Sequence, residues 1–125
     1  MAQHNEFGQF GEKVACELLI SKGLVIRETN WRLNHLEVDI IAYDEKTSTL
    51  HIVEVKTRRT ALFNPMDSIN YSKQKNLINA ANGYIRYYQL RCGIQYDVIF
   101  VIGSQQNYKI EYIPNAFRPR LKTYR

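Results

Sequence analysis

Apolar and polar positions along the chain follow two periods, which predict two helices and five strands. An apolar face with helical spacing predicts a first helix that begins near Glu6 and stops at Gly23. The same spacing predicts a second, longer helix over Tyr71–Leu90, with Ser72 as its N-cap. Runs of β-branched and aromatic residues predict the strands. These are Leu24–Thr29, Glu37–Tyr43, Thr49–Thr57, Tyr96–Ile102 and Asn107–Ile113.

The order of these elements, α-β-β-β-α-β-β, predicts an α/β domain. A long helix between the third and fourth strands requires a crossover, so we expect these two strands to be parallel. The segment Asn30–His35 predicts a bend, and Pro114 predicts the end of the last strand. Gly8 and Gly11 weaken the first helix, which predicts close packing or access there. We therefore expect a mixed central β-sheet flanked by helices.

Length and composition indicate one globular domain. A chain of 125 residues with 45% hydrophobic residues buries a sizeable core, which excludes a mainly disordered protein. We expect the domain to cover residues 1–117, followed by a basic tail at 118–125. Apolar runs are too short for a membrane span, and no secretory signal is visible at the N-terminus. The two cysteines lack metal-ligand spacing. These features predict a cytoplasmic protein without a membrane partner.

Charge is divided unevenly along the chain. The net charge is +5, but residues 1–55 carry nine acids and five bases, whereas residues 56–125 carry twelve bases and three acids. A basic half joined to an acidic half predicts a surface for a polyanion beside a group of carboxylates. For the tail alone, a solubilising role explains the basic residues equally well.

The unusual residues lie on the second and third predicted strands. Strand alternation places Glu37 and Asp39 on one face, with Val38 and Ile40 on the other. It likewise places Glu54 and Lys56 together on the third strand. A charge among apolar sheet positions is costly unless it is paired or bound to a metal. If the hairpin register joins the two polar faces, three carboxylates and one ammonium group converge.

Such a group of oxygen ligands suits Mg²⁺ or Mn²⁺. A metal bound by carboxylates lowers the pKa of its water and offsets charge that develops on phosphate oxygens. Lys56 would orient that water or neutralise the same charge. The alternative is a row of ion pairs on a solvated sheet face, which the same alternation produces. The apolar neighbours and the basic second half of the chain favour the metal site.

Asp39 followed by Glu54-Val55-Lys56 resembles the PD-(D/E)xK nuclease motif, although Val38 stands where that motif has proline. The whole chain resembles the YraN-like family of predicted bacterial endonucleases, which is distantly similar to archaeal Holliday junction resolvases. The matching pieces are Gly8-x-x-Gly11-Glu12-x-x-Ala15, Asn30-x-Arg32, Glu37-x-Asp39-x-Ile41-Ala42, Val53-Glu54-Val55-Lys56-x-Arg58, Lys73-Gln74 and Asn115-Ala116-Phe117. The resemblance implies a restriction-endonuclease-like fold. It also implies a catalytic metal site in which Glu12, Asp39 and Glu54 are ligands and Lys56 assists.

Further residues are expected to support this site. Glu37 and Gln74 are candidates for a second shell around the ligands, and pairing of Glu37 with Arg32 is an equal alternative. Basic residues near the site or in the tail are candidates for nucleic-acid contacts. These are Arg58, Arg59, Lys73, Lys75, Arg118, Arg120 and Lys122. Tyr84, Tyr87 and Tyr88 are expected to serve core and helix packing rather than to stack on bases.

Two functions from different classes explain these features. The first is a Mg²⁺- or Mn²⁺-dependent endonuclease acting on structured or branched DNA. The second is a nucleic-acid-binding module on a nuclease-like fold without catalysis. Converging carboxylates favour the enzyme, because without a metal they would repel DNA. A structural protein that binds a partner through its acidic face explains the basic half poorly. We expect DNA as the main partner, with a homodimer as a further possibility.

Overall fold

A computed structural model describes residues 6–62 and 69–119, which contain two helices and five strands. The helices are α1 (Glu6–Ser21) and α2 (Tyr71–Tyr88). The strands are β1 (Val25–Leu33), β2 (Leu36–Asp44), β3 (Thr49–Arg58), β4 (Gly93–Gly103) and β5 (Tyr108–Phe117). They form one small α/β domain with a mixed sheet, which confirms the predicted class. No helix in the described ranges is long and apolar enough to cross a membrane.

The sheet has the strand order β1-β2-β3-β4-β5. β3 and β4 are parallel, as the crossover through α2 predicts, and the other neighbours are antiparallel. The two helices pack on opposite faces, because consecutive residues of β3 enter different hydrophobic clusters. Ile52 lies in the cluster that contains Leu77 of α2, and Val53 lies in the cluster that contains Leu19 of α1. The core is therefore a sheet buried on both faces.

The predicted bend at Asn30–His35 is confirmed only at its last two residues, because β1 continues to Leu33. Asn30 adopts a left-handed backbone conformation, with φ of 50°, and kinks the strand without ending it. The turn to β2 is formed by Asn34, with φ of 56°, and His35, between the paired residues Leu33 and Leu36. Asparagine tolerates positive φ better than most residues, which explains both positions.

The predicted end of the last strand at Pro114 is also wrong, because β5 continues to Phe117. The register between β4 and β5 shifts at this point, and Pro114 lies within the shift on an edge strand. Proline is tolerated there because its missing N–H is not needed for the ladder. Asp97, which is 1% exposed, holds the shifted segment through the Asn115 N–H at 3.0 Å and the Tyr112 hydroxyl at 2.7 Å.

The predicted cap of α2 is displaced by two residues. The N-cap is Asn70, whose side chain accepts a hydrogen bond from the Lys73 N–H at 2.9 Å, and not Ser72. The helix ends at Tyr88, followed by Gln89 in a left-handed conformation with φ of 55°. This cap fixes the backbone of the first turn of α2, from which the Lys73 side chain extends.

Candidate active site

β2 and β3 separate where the predicted site residues lie. The antiparallel pairing between these strands ends at Ile40 and Val53. Just beyond that pair, Asp39 Oδ2 accepts a hydrogen bond from the Val55 N–H at 2.8 Å. A side chain thus takes the place of the next backbone acceptor. This hydrogen bond holds the Asp39 carboxylate beside the backbone that carries Glu54.

The alternation predicted for β2 is wrong at this point. Val38 packs in the cluster on the α2 side of the sheet, whereas Ile40 packs in the cluster on the α1 side. The β1–β2 register places Asn30, the kinked residue of β1, opposite Asp39. The change of face between Val38 and Ile40 therefore falls at Asp39, opposite a residue with a left-handed backbone.

Glu54 is a buried carboxylate, 5% exposed, and two ammonium groups neutralise it. The Lys73 Nζ lies 3.2 Å from Glu54 Oε2, and the Lys56 Nζ lies 3.5 Å from the same oxygen. A buried charge is costly without such partners, and two ammonium groups share the compensation of Glu54. The sequence predicts Lys73 as a phosphate contact, but the structure places it at the carboxylate itself.

Burial raises the pKa of Asp39, and the neighbouring carboxylate of Glu54 raises it further. The hydrogen bond from the Val55 N–H lowers this pKa, the negative charge of Glu12 raises it, and the positive charge of Lys73 lowers it. The resulting pKa is about 7. When the carboxylates of Glu12, Asp39 and Glu54 are ionised and Lys56 and Lys73 are protonated, these five groups carry one net negative charge. A proton on Asp39 balances that charge, and a bound cation would do the same.

Glu12 reaches the site from α1. Asn30 Nδ2 donates a hydrogen bond to Glu12 Oε1 at 3.0 Å. The preceding residue, Gly11, packs so tightly that a Cβ there would collide with the Thr57 side chain, which confirms close packing at this glycine. Sequence analysis assigns no role to Asn30. Its signals are the Asn30-x-Arg32 piece of the family resemblance and the tendency of asparagine to adopt positive φ, and neither shows where its side chain points.

The donor set around β2 and β3 fits a hard divalent cation with few protein ligands. Among the described residues, no group of three or more His, Cys, Asp and Glu side chains is arranged to hold a metal ion. Mg²⁺ usually binds through one or two carboxylates, with waters and substrate phosphates completing its coordination. Asp39 and Glu54 match that pattern. Glu12 bonds to Asn30 and acts on Asp39 through its charge.

The two predicted second-shell residues make other contacts. The Arg32 Nη2 lies 3.6 Å from Glu37 Oε2, and the two residues pair across β1 and β2. Gln74 donates from Nε2 to the carbonyl of Ile69, which precedes α2, at 3.3 Å. Glu37 therefore follows the alternative of pairing with Arg32.

The predicted nucleic-acid contacts are spread over the surface. Arg59, Lys75 and Arg118 are exposed, and Arg58 is half-buried with its Nη1 donating to the Thr57 carbonyl at 2.8 Å. Two further predicted contacts, Arg120 and Lys122, lie outside the described residues.

The three tyrosines of α2 differ in their surroundings. Tyr84 is fully buried, and its ring lies 5.1 Å from the ring of Trp31, as core packing predicts. Tyr88 packs on Tyr84 but remains 42% exposed. Tyr87 is 78% exposed and therefore not part of the core, but its ring packs on that of Tyr88, 4.8 Å away on the same helix. It lies beyond the buried stripe at the end of the helix.

Comparison with known proteins places the chain in a family. The sequence profile of the uncharacterised protein family UPF0102 matches residues 11–101. A UPF0102 protein of Bacteroides thetaiotaomicron is 42% identical over 122 residues, which cover 97% of this chain and 99% of the relative. A UPF0102 protein of Phocaeicola vulgatus is 38% identical over 120 residues, covering 95% and 98%. Another, from Flavobacterium psychrophilum, is 42% identical over 118 residues, covering 94% and 98%. The chain therefore belongs to the uncharacterised protein family UPF0102.

Proposed function

We propose that this protein is a metal-dependent endonuclease of the restriction-endonuclease-like fold that hydrolyses phosphodiester bonds in DNA, with structured or branched DNA as its substrate. The observation that carries the proposal is the Asp39 carboxylate, whose pKa is about 7 because it is buried beside Glu54. Perturbed titration in a cluster of acids and lysines is typical of functional sites. The order of Asp39, Glu54 and Lys56 along β2 and β3 resembles the nuclease motif, with Val38 in the place of its proline.

Each residue of the cluster has a role in this proposal. Asp39 and Glu54 hold Mg²⁺ or Mn²⁺, which when bound activates water and offsets negative charge on the phosphate. The Lys56 ammonium, 3.5 Å from Glu54 Oε2, supplies positive charge where the oxygens of the scissile phosphate become more negative. Glu12, fixed by Asn30, adds negative charge that strengthens cation binding.

The electrostatics of the cluster explain why DNA and a cation would bind together. Without a cation, the ionised carboxylates repel a phosphate backbone. A divalent cation changes the net charge of the five groups from one negative to one positive, with Asp39 ionised. Lys73 then no longer serves as the nearest counter-charge of Glu54, and its ammonium is available to a phosphate. Cation binding thus prepares the cluster for a polyanion.

A non-catalytic nucleic-acid-binding module is the second candidate. It is favoured by the lack of a three-ligand acidic group among residues 6–62 and 69–119. In that case Lys56 and Lys73 are permanent counter-ions of Glu54, and Asp39 serves as a structural acceptor for the Val55 N–H. This candidate predicts binding that does not depend on divalent cations.

A gel assay separates the two candidates. Purified protein is incubated with linear, flapped and four-way DNA, and with RNA of the same shapes, in Mg²⁺, Mn²⁺ or EDTA. We expect cleavage only with a divalent cation, and none by Asp39→Asn. Asp44→Asn removes a carboxylate from the same strand away from the cluster and should cut normally. If the wild type cuts no substrate while binding DNA, the endonuclease proposal is wrong and the binding module replaces it.

A further inference from the structure

The two ammonium groups that contact Glu54 come from different parts of the fold. Lys56 lies two residues further along β3 on the same face, so the strand itself keeps it beside Glu54. Lys73 comes from the first turn of α2, and its Nζ is the closer of the two to Glu54 Oε2, at 3.2 Å against 3.5 Å. Its side chain is 37% exposed, against 23% for Lys56. Lys73 is therefore the ammonium group better placed to leave Glu54 for a group in solvent.

Lys73 also acts on the second carboxylate of the cluster. Its positive charge lowers the pKa of Asp39, against the effects of burial, Glu54 and Glu12. An opposite charge has this effect within about 4–6 Å. Asp39 and Glu54 are the two residues that hold the cation in the proposed function. In the free protein, the Lys73 ammonium thus supplies these two carboxylates with the positive charge that a bound cation would supply.

The charge balance of the cluster indicates what happens to Lys73 when a divalent cation binds. The ionised carboxylates of Glu12, Asp39 and Glu54 carry three negative charges. Lys56 and one divalent cation together balance them. With Lys73 still in place, the cluster has one positive charge in excess, and the ammonium group and the cation repel each other at the same carboxylates. The cluster becomes neutral when Lys73 leaves.

We propose that Lys73 is an internal competitor of the cation: its ammonium group neutralises Asp39 and Glu54 in the free protein, leaves them when a divalent cation binds, and then pairs with a phosphate of the nucleic acid. This inference rests on the cation site of the proposed function and concerns the regulation of that site. Because the cation releases Lys73 and a phosphate holds it away from the carboxylates, each ligand strengthens the binding of the other. A permanent ion pair between Lys73 and Glu54 predicts no such exchange.

Binding of Mn²⁺ to the protein alone tests the competition, with free Mn²⁺ measured by electron paramagnetic resonance. We expect Lys73→Met to bind Mn²⁺ about 10-fold more tightly than the wild type, because the cation no longer displaces a positive charge. Lys73→Arg keeps the charge and should bind about as the wild type does. Damage to the fold would weaken binding, so a gain in affinity reports on competition. Lys73→Gln keeps a hydrogen-bond donor for Glu54, should show the same gain, and replaces Lys73→Met if that variant does not fold.

Lys75→Met is the matched control, because it lowers the net charge of the protein by the same amount. Lys75 is exposed and follows Lys73 by two residues, which places it about 200° round the helix, on the side away from the cluster. Its Mn²⁺ affinity should equal that of the wild type. An equal gain in Lys75→Met would show that the effect is one of overall charge and would overturn the inference.

The salt dependence of DNA binding tests the transfer of Lys73 to a phosphate. A labelled duplex is titrated by fluorescence anisotropy in EDTA and in Ca²⁺, a cation that prefers oxygen ligands, and is recovered uncut. In Ca²⁺ the salt dependence of Lys73→Met should be lower than that of the wild type by about one phosphate contact, whereas in EDTA the two should agree. Lys75→Met should differ from the wild type equally in both conditions. Agreement between Lys73→Met and the wild type in Ca²⁺ would overturn the transfer to phosphate.

The outcomes separate this inference from the proposed function. If the wild type binds Mn²⁺ and neither neutral variant of Lys73 binds it more tightly, the inference is wrong and the cation site stands. If Mn²⁺ binds to Lys73→Met but not to the wild type, the competition is confirmed in its strongest form. If Mn²⁺ binds to none of these proteins, the cation site is wrong and the inference fails with it. Tighter binding by the neutral variants supports the inference even in a protein that cuts no DNA.

Discussion

Asp39→Asn should stabilise the protein in the absence of divalent cations, although it removes the central acid of the site. In the folded protein the pKa of Asp39 is about 7, against 3.8 for an ordinary aspartate. The folded state therefore binds more protons than the unfolded state between about pH 4 and pH 7. The contribution of Asp39 to the free energy of unfolding falls as the pH rises through that window. Above pH 7 an ionised Asp39 opposes folding, because it is buried beside Glu54 and near Glu12, and the Val55 N–H and Lys73 compensate for this only in part.

The size of the effect follows from the pKa difference. About three pH units at 1.36 kcal/mol each give an upper limit of about 4 kcal/mol. An asparagine keeps an oxygen acceptor for the Val55 N–H, but that hydrogen bond loses the strength that a charge adds. We therefore expect a net gain of roughly 2 kcal/mol at pH 8 in EDTA, or about 5–10 °C in Tm. The gain should shrink as the pH falls and vanish near pH 4, where Asp39 is protonated in both the folded and the unfolded state, so at pH 5 it should be clearly smaller than at pH 8.

Chemical denaturation at pH 5 and pH 8 in EDTA measures this difference. The control Asp44→Asn, on the same strand, should show the same change in the free energy of unfolding between the two pH values as the wild type. Mg²⁺ should then raise the Tm of the wild type, because a ligand of the folded state stabilises it, but not that of Asp39→Asn. The electrostatic reasoning is wrong if Asp39→Asn is no more stable than the wild type at pH 8 and if its stability relative to the wild type is the same at pH 5 and pH 8.

Three other predictions follow from the same structure. Lys56→Ala should slow cleavage about 100-fold or more while the rise in Tm with Mg²⁺ persists; loss of that rise would instead assign Lys56 to cation binding. Deleting residues 118–125 should flatten the dependence of DNA affinity on salt and leave Tm unchanged, and an unaltered slope would contradict a phosphate-binding tail. Asp97→Ala should lower the free energy of unfolding by about 3 kcal/mol or more in urea at pH 7, with Asp97→Asn less affected, because its donors lose a buried acceptor.

The Asp97 prediction also has a pH dependence of known sign. Burial favours the neutral acid, but hydrogen bonds from His51, Tyr112, Gln95 and the Asn115 N–H outweigh burial and lower the pKa of Asp97. Its stabilising contribution is therefore complete above the ordinary aspartate pKa of 3.8 and is lost as the pH falls below that value. Urea melts of wild type and Asp97→Asn between pH 3 and pH 7 should converge at the acid end. If the free energies of unfolding of the two proteins differ by the same amount at every pH, the lowered pKa of Asp97 is not the cause of its stabilising contribution.

The sequence by itself determined the features that depend on neighbours along the chain. Apolar periodicity placed both helices and the centres of all five strands, since side-chain alternation and helical spacing are local properties. The long helical connection between β3 and β4 indicated that these strands are parallel, because parallel neighbours need a long crossover whereas a short turn joins the strands of a hairpin. The identity of the charged residues on β2 and β3 was also visible, since acids are rare at buried sheet positions.

Tertiary structure alone decided how those residues meet. Asn30, with its left-handed backbone, donates its side-chain amide to Glu12, and no local pattern shows that target. Lys73 contacts Glu54 only because α2 crosses back over the sheet. The continuation of β5 past Pro114 depends on Asp97, seventeen residues earlier in the chain. In each case a polar side chain satisfies a group far away in sequence. The energy of that contact outweighs the local preference, and it exists only once the chain has folded.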